Sequence, residues 1–258
     1  MSTLNIENVG LVFAPKRGKS VAALHDVTIQ IPPNTFSVIV GPSGCGKSSL
    51  LRLVAGLVSP TSGKITLDGD LIVGPAADRG MVFQSYTLFP WLTVQRNVEF
   101  GLKLAGVSSD ERARTAKAFI SQVGLRGFEN AYPNQLSGGM MQRVALARAI
   151  ANNPAILLMD EPFGALDSQT RAVMQELLLE IWQRDRKTVL FITHDIDEAI
   201  LLGDDVYIMS ARPGQIKERI EIDIPRPRSA ELVTTEKFIT IKKRIRHLIH
   251  DEVIRAGL

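Results

Sequence analysis

The sequence predicts an α/β fold built on a mainly parallel sheet. Three apolar runs have the length of buried strands, at 36–40, 155–159 and 188–193. Each precedes a segment with helical character, and strands that alternate with helices form parallel sheets covered on both faces. A chain of 258 residues, 45% of them hydrophobic, can bury the core that such a fold requires.

The first third of the chain predicts strands of a second kind. Residues 24–31 place Val27 and Ile29 between polar neighbours, and this period of two is typical of a strand with one face toward water. A further strand and turn are predicted at 64–69, and a short buried strand at 80–83. We therefore expect antiparallel strands in addition to the parallel sheet.

The middle of the chain, 93–131, has few runs of β-branched residues and predicts a helical insert. Ser108 followed by Glu111 has the form of a capping box, so a helix should extend to about Val123. Further helices are predicted at 138–152, 168–184 and 195–202, the last with Asp195 as its N-cap.

The C-terminal part predicts a connector at 225–235 and a helix at 236–256. Apolar residues recur along this helix at helical spacing. The helix also carries four basic residues, Lys242, Lys243, Arg244 and Arg246. It could pack on the domain with a solvated basic face, or it could contact anionic lipid at a membrane surface.

Charge and cysteine content narrow the classes of partner. A formal net charge of +3 is too small to argue for nucleic acid by itself. The single cysteine, Cys45, excludes an internal disulfide and favours a reducing compartment. The N-terminus lacks the pattern of a signal peptide, and no run approaches the ~18 apolar residues that span a bilayer. We expect other chains to cross the membrane if the protein serves a membrane process.

The most informative stretch, 41–49, lies between a predicted buried strand and a helix and fits the pattern G-x-x-x-x-G-K-S/T. Glycines let successive N–H groups turn toward one oxyanion, and the helix N-terminus adds unpaired N–H groups. Lys47 supplies a charge for the β- and γ-phosphates, and Ser48 a hydroxyl oxygen for Mg²⁺. The stretch predicts a nucleoside triphosphate site. Its residues are Gly41, Pro42, Ser43, Gly44, Cys45, Gly46, Lys47, Ser48 and Ser49.

Two carboxylates follow the apolar run at 155–159. Asp160 comes at the carboxyl end of that predicted strand, where an open α/β sheet places its ligand site, so it is expected to help Ser48 hold Mg²⁺. Glu161 can point elsewhere and orient or deprotonate an attacking water. Pro162 predicts an extended backbone at Glu161. The alternative is a solvated acidic turn.

A second anion site is predicted at 136–143, Leu-Ser-Gly-Gly-Met-Met-Gln-Arg. Ser137 is the expected N-cap of a helix, and Gly138 and Gly139 would expose their amides at its N-terminus. The phosphate loop already provides one anion site for a nucleotide. The presence of a second anion site in the same chain therefore needs an explanation.

These motifs, taken in order, resemble those of ABC-type ATPases over nearly the whole chain. They are the phosphate loop at 41–48, Gln84, the signature at 136–143, Ile-Leu-Leu-Met-Asp-Glu at 156–161, Gly-Ala-Leu-Asp at 164–167, and His194. The resemblance implies a P-loop ABC ATPase cassette with a mainly parallel core sheet, an antiparallel β subdomain and an inserted helical subdomain. It implies a single domain over 1–258, with the helical subdomain at 85–152 inserted in a RecA-like core and a connector and helix at 225–258.

The resemblance also implies a head-to-tail homodimer with two ATP molecules at its interface. Ser137, Gly138 and Gly139 of one copy would meet the γ-phosphate that Lys47 of the other copy holds. Asp167 would lie at the dimer interface. The second anion site is then explained, because both sites would grip one phosphate from opposite chains.

The remaining site residues follow from the same resemblance. His194 would contact the γ-phosphate and hold the water with Glu161, and Gln84 would sense Mg²⁺ and water. Phe13, expected in the turn after the first strand, matches the aromatic that stacks on adenine, and a core phenylalanine is the alternative. Met140 stands where the most common signature has Gln, which puts any polar contact of that Gln in question.

The segment 86–92, Tyr-Thr-Leu-Phe-Pro-Trp-Leu, directly follows the region of Gln84. Its large apolar side chains could form the core of the helical insert or a groove for a partner helix. ABC transporters bind the coupling helix of a transmembrane subunit here. A separate small cassette resembles the ATP-hydrolysing subunit of a bacterial importer. Its implied partners are two transmembrane permease subunits and, indirectly, a solute-binding protein, with no nucleic acid.

Within importers, the chain resembles the nitrate/sulfonate/taurine branch, so a small anion of that type is the expected solute. The features are the Met signature, the run at 88–94 and Ser-Ala-Arg-Pro-Gly at 210–214. The expected location is peripheral, on the cytoplasmic face of the bacterial plasma membrane. The alternative is a soluble, non-transport ABC ATPase that acts on a protein or nucleic acid. A P-loop kinase or GTPase would leave the signature unexplained.

Overall fold

The computed structural model describes residues 2–14 and 20–255. The chain forms two compact units. The first unit comprises Met1–Ala76 and Arg186–Leu258, and the second comprises Ala77–Asp185. The assignment of 85–152 as a subdomain inserted in a RecA-like core stays a prediction.

The described residues contain ten strands and seven α-helices. The strands are β1 (Leu4–Phe13), β2 (Val21–Ile31), β3 (Phe36–Val40), β4 (Ser62–Leu67), β5 (Asp70–Leu71), β6 (Arg79–Val82), β7 (Ile156–Asp160), β8 (Thr188–Ile192), β9 (Asp205–Met209) and β10 (Ile216–Glu221). The helices are α1 (Lys47–Val54), α2 (Val94–Leu104), α3 (Ser109–Gln122), α4 (Gly138–Ala151), α5 (Ser168–Arg184), α6 (Ile196–Leu202) and α7 (Glu236–Arg255). Short 3₁₀ helices lie at Pro133–Gln135 and Ala230–Thr234.

The first unit contains an antiparallel sheet in the order β2-β1-β4-β5. Ile6 of β1 stands opposite Ile29 on one side and Ile65 on the other. All three side chains are buried, so the alternating pattern of β2 faces one apolar layer. The predicted antiparallel strands are confirmed.

The first unit also contains parallel strands. Strand β3 lies between β8 and β9 and is parallel to both, and β10 runs antiparallel to β9. All five residues of β3 are buried, as expected for a strand with neighbours on both edges and layers on both faces. Its Phe36 ring packs against Phe191 of β8 with centroids 5.7 Å apart.

The second unit holds the parallel pair β6 and β7 together with helices α2 to α5. Ser108 accepts a hydrogen bond from the backbone N–H of Glu111 and so begins α3 where the sequence predicts it. Val98 of α2, Ile120 of α3 and Ala147 of α4 are fully buried. Among the helices in the described ranges, none combines the length and the apolar character that a bilayer crossing requires.

Helix α7 packs within the first unit, where its residues Phe238 and Ile245 are buried. Two of its basic side chains have acidic partners: Lys242 lies 2.7 Å from Asp197, and Arg244 pairs with Glu218. This arrangement favours the packed terminal helix over the lipid-binding interpretation, because two of the four basic charges are compensated within the protein.

A buried arginine anchors the connector before α7. Arg228 is 6% exposed and donates hydrogen bonds to backbone carbonyl oxygens. Burial lowers its pKa to about 10, so the guanidinium remains charged at neutral pH. The acceptors are the carbonyl groups of Ile200, Leu201, Gly203, Ile222 and Ile224. The side chain thus caps the C-terminal end of α6 and joins it to the segment that follows β10.

Replacement of Arg228 by Met should lower the free energy of unfolding by about 3 kcal/mol, because several buried carbonyl groups lose their donor. Urea unfolding of the purified chain measures the effect. The matched control is Lys237→Met, which removes an exposed ion pair with Asp223 and should cost less than about 0.5 kcal/mol. Equal unfolding midpoints for the two variants would contradict the anchoring role.

Candidate nucleotide site

The first unit brings the phosphate loop and His194 to one sheet edge. Strands β3 and β8 are parallel, with Ile39 opposite Ile192, and the Thr193 N–H donates to the carbonyl of Ile39 at 3.3 Å. Because parallel strands end at the same edge, the loop that starts at Gly41 and the exposed His194 leave the sheet side by side. This edge carries the phosphate loop and His194, two of the predicted site elements.

The backbone of the loop requires glycine at two positions. Gly44 has φ 72° and Gly46 has φ 109°, both in the left-handed region that glycine adopts without strain. A Cβ atom on Gly46 would also lie only 2.7 Å from the Leu24 side chain. Gly46 is the N-cap of α1 and provides no side-chain cap, so the amides of the first turn face the loop unshielded. Ser48 and Ser49 belong to this first turn.

The Lys47 side chain turns back into the loop that precedes it. It is 6% exposed, and its Nζ donates to the carbonyl oxygens of Gly41 at 2.9 Å and Pro42 at 3.0 Å. The loop therefore surrounds a buried positive charge at the start of a helix. Such a charge beside helix amides suits a polyphosphate.

Cys45 is buried beneath the same loop and is 1% exposed. Burial raises the pKa of its thiol, although the nearby charge of Lys47 opposes this effect. The side chain therefore packs inward as a small apolar group. Any contact of Cys45 with a nucleotide would come from its backbone.

Phe13 is the last residue of β1, so the expectation of a turn position after the first strand is wrong. The pairing of Phe13 with Val21 of β2 extends the strand by this residue. Its side chain is 47% exposed, which disfavours the alternative of a core phenylalanine. A half-exposed ring beside an antiparallel sheet is available for stacking on a base.

The second unit brings three predicted residues to another edge. Strands β6 and β7 are parallel, with Val82 opposite Met159, and Gln84 and Asp160 follow these two residues. Asp160 is buried at the end of β7. A Cβ atom on Gly164 would lie 3.9 Å from Gln84 Nε2 and equally far from Glu161 Cβ, so both side chains border this glycine.

The prediction of an extended backbone at Glu161 is wrong. Its φ is 43°, in the left-handed region that is unfavourable for a residue with a Cβ atom. The chain turns sharply here, and the N–H of Gly164 donates to the carbonyl of Glu161 at 3.1 Å. This tight turn overrides the preference that Pro162 imposes. Residues with strained backbone cluster at functional sites, and they persist because the surrounding structure holds the backbone in place.

Helix α4 begins at the predicted signature. The Ser137 hydroxyl accepts a hydrogen bond from the Met140 N–H at 3.3 Å, which confirms it as the N-cap. A Cβ atom on Gly138 would lie 2.8 Å from the Tyr86 hydroxyl, and one on Gly139 would lie 2.6 Å from Thr170 Cγ2. Both glycines therefore lie in close contact with neighbouring side chains, and their role toward a nucleotide stays a prediction.

Asp167 is the N-cap of α5. Its carboxylate accepts hydrogen bonds from the backbone N–H groups of Thr170 at 3.0 Å and Gln169 at 3.1 Å. The hydrogen bonds from Thr170 lower the pKa of Asp167. This capping explains the residue type locally, and the interface role of Asp167 stays a prediction.

Arg148 of α4, which no sequence pattern singled out, binds the segment that follows Gln84. It donates to the Thr87 carbonyl at 2.8 Å and to the Tyr86 carbonyl at 3.3 Å, and its guanidinium lies 5.6 Å from the centroid of the Phe89 ring. Arg148 therefore joins the segment after Gln84 to the signature helix. An arginine near the end of a helix resembles ordinary C-terminal charge, so no sequence signal distinguished it.

Segment 86–92 divides into a packed part and an exposed part, and the binding of a partner helix there stays a prediction. Phe89 packs against Phe100 with centroids 4.4 Å apart and belongs to the core of the second unit. Trp91 is 71% exposed and borders a groove of about 860 Å³. Other residues that line the groove are Arg96, Lys103, Arg112 and Tyr132.

Comparison with known proteins agrees with this geometry. The model of the ABC transporter family matches residues 24–164. A solved ATP-binding cassette, captured as a dimer after hydrolysis with ADP and Pi bound, superposes with a TM-score of 0.76 at 34% identity and covers 86% of this chain and 100% of the other. The chain belongs to the ABC transporter family, and the predicted class, an α/β P-loop ABC ATPase cassette, is confirmed.

Individual relatives specify the branch. The chain is 55% identical over 222 residues to the nitrate import ATP-binding protein NrtD of Synechocystis, which covers 86% of this chain and 83% of that protein. It is 48% identical over 253 residues to the taurine import ATP-binding protein TauB of Rhizobium johnstonii, with 96% of each chain covered. An uncharacterized ABC transporter ATP-binding protein of Methanocaldococcus jannaschii is 53% identical and covers 98% of this chain and 93% of that protein. The resemblance to the nitrate/sulfonate/taurine branch is therefore confirmed.

The buried Cys45 thiol should react slowly with a thiol reagent. Because burial raises its pKa, the reactive thiolate is scarce at pH 7 to 8 and increases only at higher pH. Ellman's reagent should modify the native chain at least about tenfold more slowly than the urea-unfolded chain. The single cysteine makes the unfolded chain an internal control, and equal rates would contradict the buried position.

Proposed function

We propose that this chain is the ATP-hydrolysing subunit of an importer for a small anion of the nitrate/sulfonate/taurine type. The observation that carries the proposal is the pair of strand edges, one with the phosphate loop and His194 and the other with Gln84, Asp160 and Glu161. The import names of the relatives support the direction of transport and the class of solute. They also favour a transporter over the alternative, a soluble ABC ATPase with a protein or nucleic-acid partner.

ATP binding rests on the phosphate loop. Lys47 would transfer its hydrogen bonds from the loop carbonyls to the β- and γ-phosphates, and the amides of 41–49 would surround the phosphate chain. Phe13 would stack on adenine. Ser48, Gln84 and Asp160 would hold Mg²⁺. All three side chains offer hard oxygen donors, which are the ligands that Mg²⁺ prefers. Magnesium would neutralise phosphate charge during the reaction.

Hydrolysis is assigned to Glu161 and His194. Glu161 accepts a proton from water as the water oxygen forms a bond to the γ-phosphorus. The bond between that phosphorus and the β,γ-bridging oxygen breaks, and ADP and phosphate result. His194 contacts a γ-phosphate oxygen and Gln84 contacts the water. The strained backbone at Glu161 supports this proposal, because residues in such conformations cluster at active sites.

A second copy of the chain would complete each site. Ser137, Gly138 and Gly139 of the partner would present the N-terminus of α4 to the γ-phosphate held by Lys47, with Asp167 at the interface. The dimeric state of the solved cassette supports this arrangement. ATP-driven closure of the dimer and its reopening after hydrolysis would be the mechanical output.

The groove beside Trp91 would receive a helix of a transmembrane permease subunit. It combines an exposed indole with the basic side chains of Arg96, Lys103 and Arg112, and the Arg112 side chain lies 3.6 Å from Glu99. An aromatic anchor next to net positive charge suits an amphipathic helix that carries acidic residues. The chain would then sit peripherally on the cytoplasmic face of the membrane, and a solute-binding protein would act through the permease.

Replacement of Glu161 by Gln should lower kcat for ATP hydrolysis about 100-fold or more, since the amide cannot accept the proton, while ATP binding persists. Phosphate release and nucleotide titration measure the two effects. The matched control is Glu176→Gln, the same chemical change at an exposed position of α5, which should leave kcat unchanged. Near-normal hydrolysis by the Glu161 variant would refute its role as the base.

Replacement of Trp91 by Ala should reduce recovery of the chain with its co-expressed permease at least about tenfold, because the aromatic anchor of the groove is lost. Affinity purification from detergent-solubilised membranes measures this recovery. Leu104→Ala removes an equally exposed apolar side chain that does not line the groove and serves as the control. A chain that purifies instead with ribosomes or DNA would support the soluble alternative.

A further inference from the structure

The loop between β9 and β10 lies against the outer side of the phosphate loop. The Gly214 N–H donates to the Ala23 carbonyl at 2.9 Å, and the His25 N–H donates to the Gly214 carbonyl at 3.0 Å. A Cβ atom on Gly214 would overlap the carbonyl oxygen of Cys45, so glycine is required for this close approach. Residues 210–214 thus run directly beside the backbone of the phosphate loop.

Arg212 of this loop binds the phosphate loop itself. Its Nε and Nη2 donate to the same acceptor, the carbonyl oxygen of Gly44, at 3.2 Å and 3.0 Å. A guanidinium that donates twice to one carbonyl forms a charge-assisted contact, which is stronger than a neutral hydrogen bond. Arg212 has no part in the binding and hydrolysis steps above.

The contact between Arg212 and the Gly44 carbonyl affects the direction in which the N–H groups of the phosphate loop point. In a trans peptide unit the N–H points opposite to the C=O. The Gly44 carbonyl is held outward by Arg212, and the N–H of the same unit, that of Cys45, points inward to the Pro42 carbonyl at 3.4 Å. The next carbonyl, that of Cys45, faces Gly214, so the Gly46 N–H is directed away from Gly214. The contacts that Arg212 and Gly214 make with the loop carbonyls therefore set the direction of the loop N–H groups that would bind a phosphate.

The position of Arg212 is in turn tied to helix α7. The Glu252 carboxylate accepts a hydrogen bond from the backbone N–H of Ala211 at 3.3 Å. Glu252 is 6% exposed and also pairs with Lys217 at 3.5 Å and Arg255 at 3.1 Å. A series of contacts thus leads from the C-terminal helix through Ala211 and Arg212 to Gly44, all within the first unit.

We propose that Arg212 is a positioning residue for the phosphate loop and that Glu252 of the C-terminal helix holds Arg212 in place. The proposal rests on the proposed function, since it assumes that the loop binds ATP. Arg212 acts through the outer carbonyl of Gly44 and touches none of the reacting atoms. Its loss weakens nucleotide binding by letting the loop amides turn, and it leaves the proton transfer at Glu161 intact. The affinity for ATP, measured as Kd or KM, is therefore the sensitive quantity, and kcat is not.

The first test compares Arg212→Ala with Arg212→Lys by titration of a fluorescent ATP analogue. The Ala variant is expected to raise Kd about three- to tenfold, which corresponds to the net contribution of an ordinary hydrogen bond, because this contact is exposed to water. The Lys variant keeps one donor and should recover part of this loss. Arg244→Ala, which removes another charged pair of α7, is the control and should leave Kd unchanged. A Kd for Arg212→Ala equal to that of the wild type overturns the proposal.

The second test separates the hydrogen bond of Glu252 from its charge. Glu252→Gln keeps an oxygen acceptor for the Ala211 N–H, whereas Glu252→Ala removes it. The Ala variant should raise KM for ATP about threefold with kcat retained, and the Gln variant should stay near the wild type. Equal KM values for the Ala variant and the Arg244→Ala control contradict the role of Glu252. If Glu252→Ala does not fold, the two Arg212 variants decide.

The wild-type protein distinguishes a failure of the proposed function from a failure of the positioning role. A wild-type chain that neither binds nor hydrolyses ATP refutes the proposed function. A wild-type chain that does both, together with Arg212 variants of unchanged affinity, refutes the positioning role alone. Urea unfolding of each variant shows that the native state is fully populated under the conditions of the titration.

Discussion

The parallel pairing of β3 with its neighbours is the constraint on which the phosphate site depends. Strand β3 is buried along its whole length and pairs with β8 and β9, so its carboxyl end has little freedom. The same register that buries Phe36 against Phe191 brings the phosphate loop and His194 out at one edge. The same strand register therefore sets both the core packing and the position of the phosphate loop. A shift of β3 by one residue would disrupt both.

Charged side chains, buried at Arg228 and Glu252 and half-buried at Arg148, hold irregular segments of the backbone. Arg228 binds carbonyl groups at the end of α6, Arg148 binds the segment that follows Gln84, and Glu252 binds a backbone N–H near Arg212. Each satisfies backbone groups that have no partner in a helix or sheet, which offsets the cost of burying a charge. Irregular segments of both units are in this way supported by long polar side chains, which come from helices in the case of Arg148 and Glu252 and from the connector in the case of Arg228.

The two units divide the chemistry that the family motifs predict. The first unit contains the phosphate loop, His194 and the half-exposed Phe13, whereas the second contains Gln84, Asp160, Glu161 and the signature helix. The second unit also carries the groove beside Trp91, and Arg148 joins the segment 86–92, to which Trp91 belongs, to the signature helix. In the proposed mechanism, contacts with a partner at the groove and contacts of the signature with a nucleotide would both involve the helices of the second unit.

The sequence by itself determined the strands, the phosphate loop and the caps at Ser137 and Asp195, because local patterns of apolar residues, glycines and capping side chains carry that information. It also determined the family, because the family motifs can be recognised by their order along the chain without knowledge of the fold. Only the tertiary structure decided the backbone at Glu161, where a tight turn outweighs the effect of Pro162, and the position of Phe13 at the end of a strand. It alone revealed Arg148, Arg212 and Glu252, because each binds a backbone group more than 40 residues away, and such a contact leaves no periodic trace in the sequence.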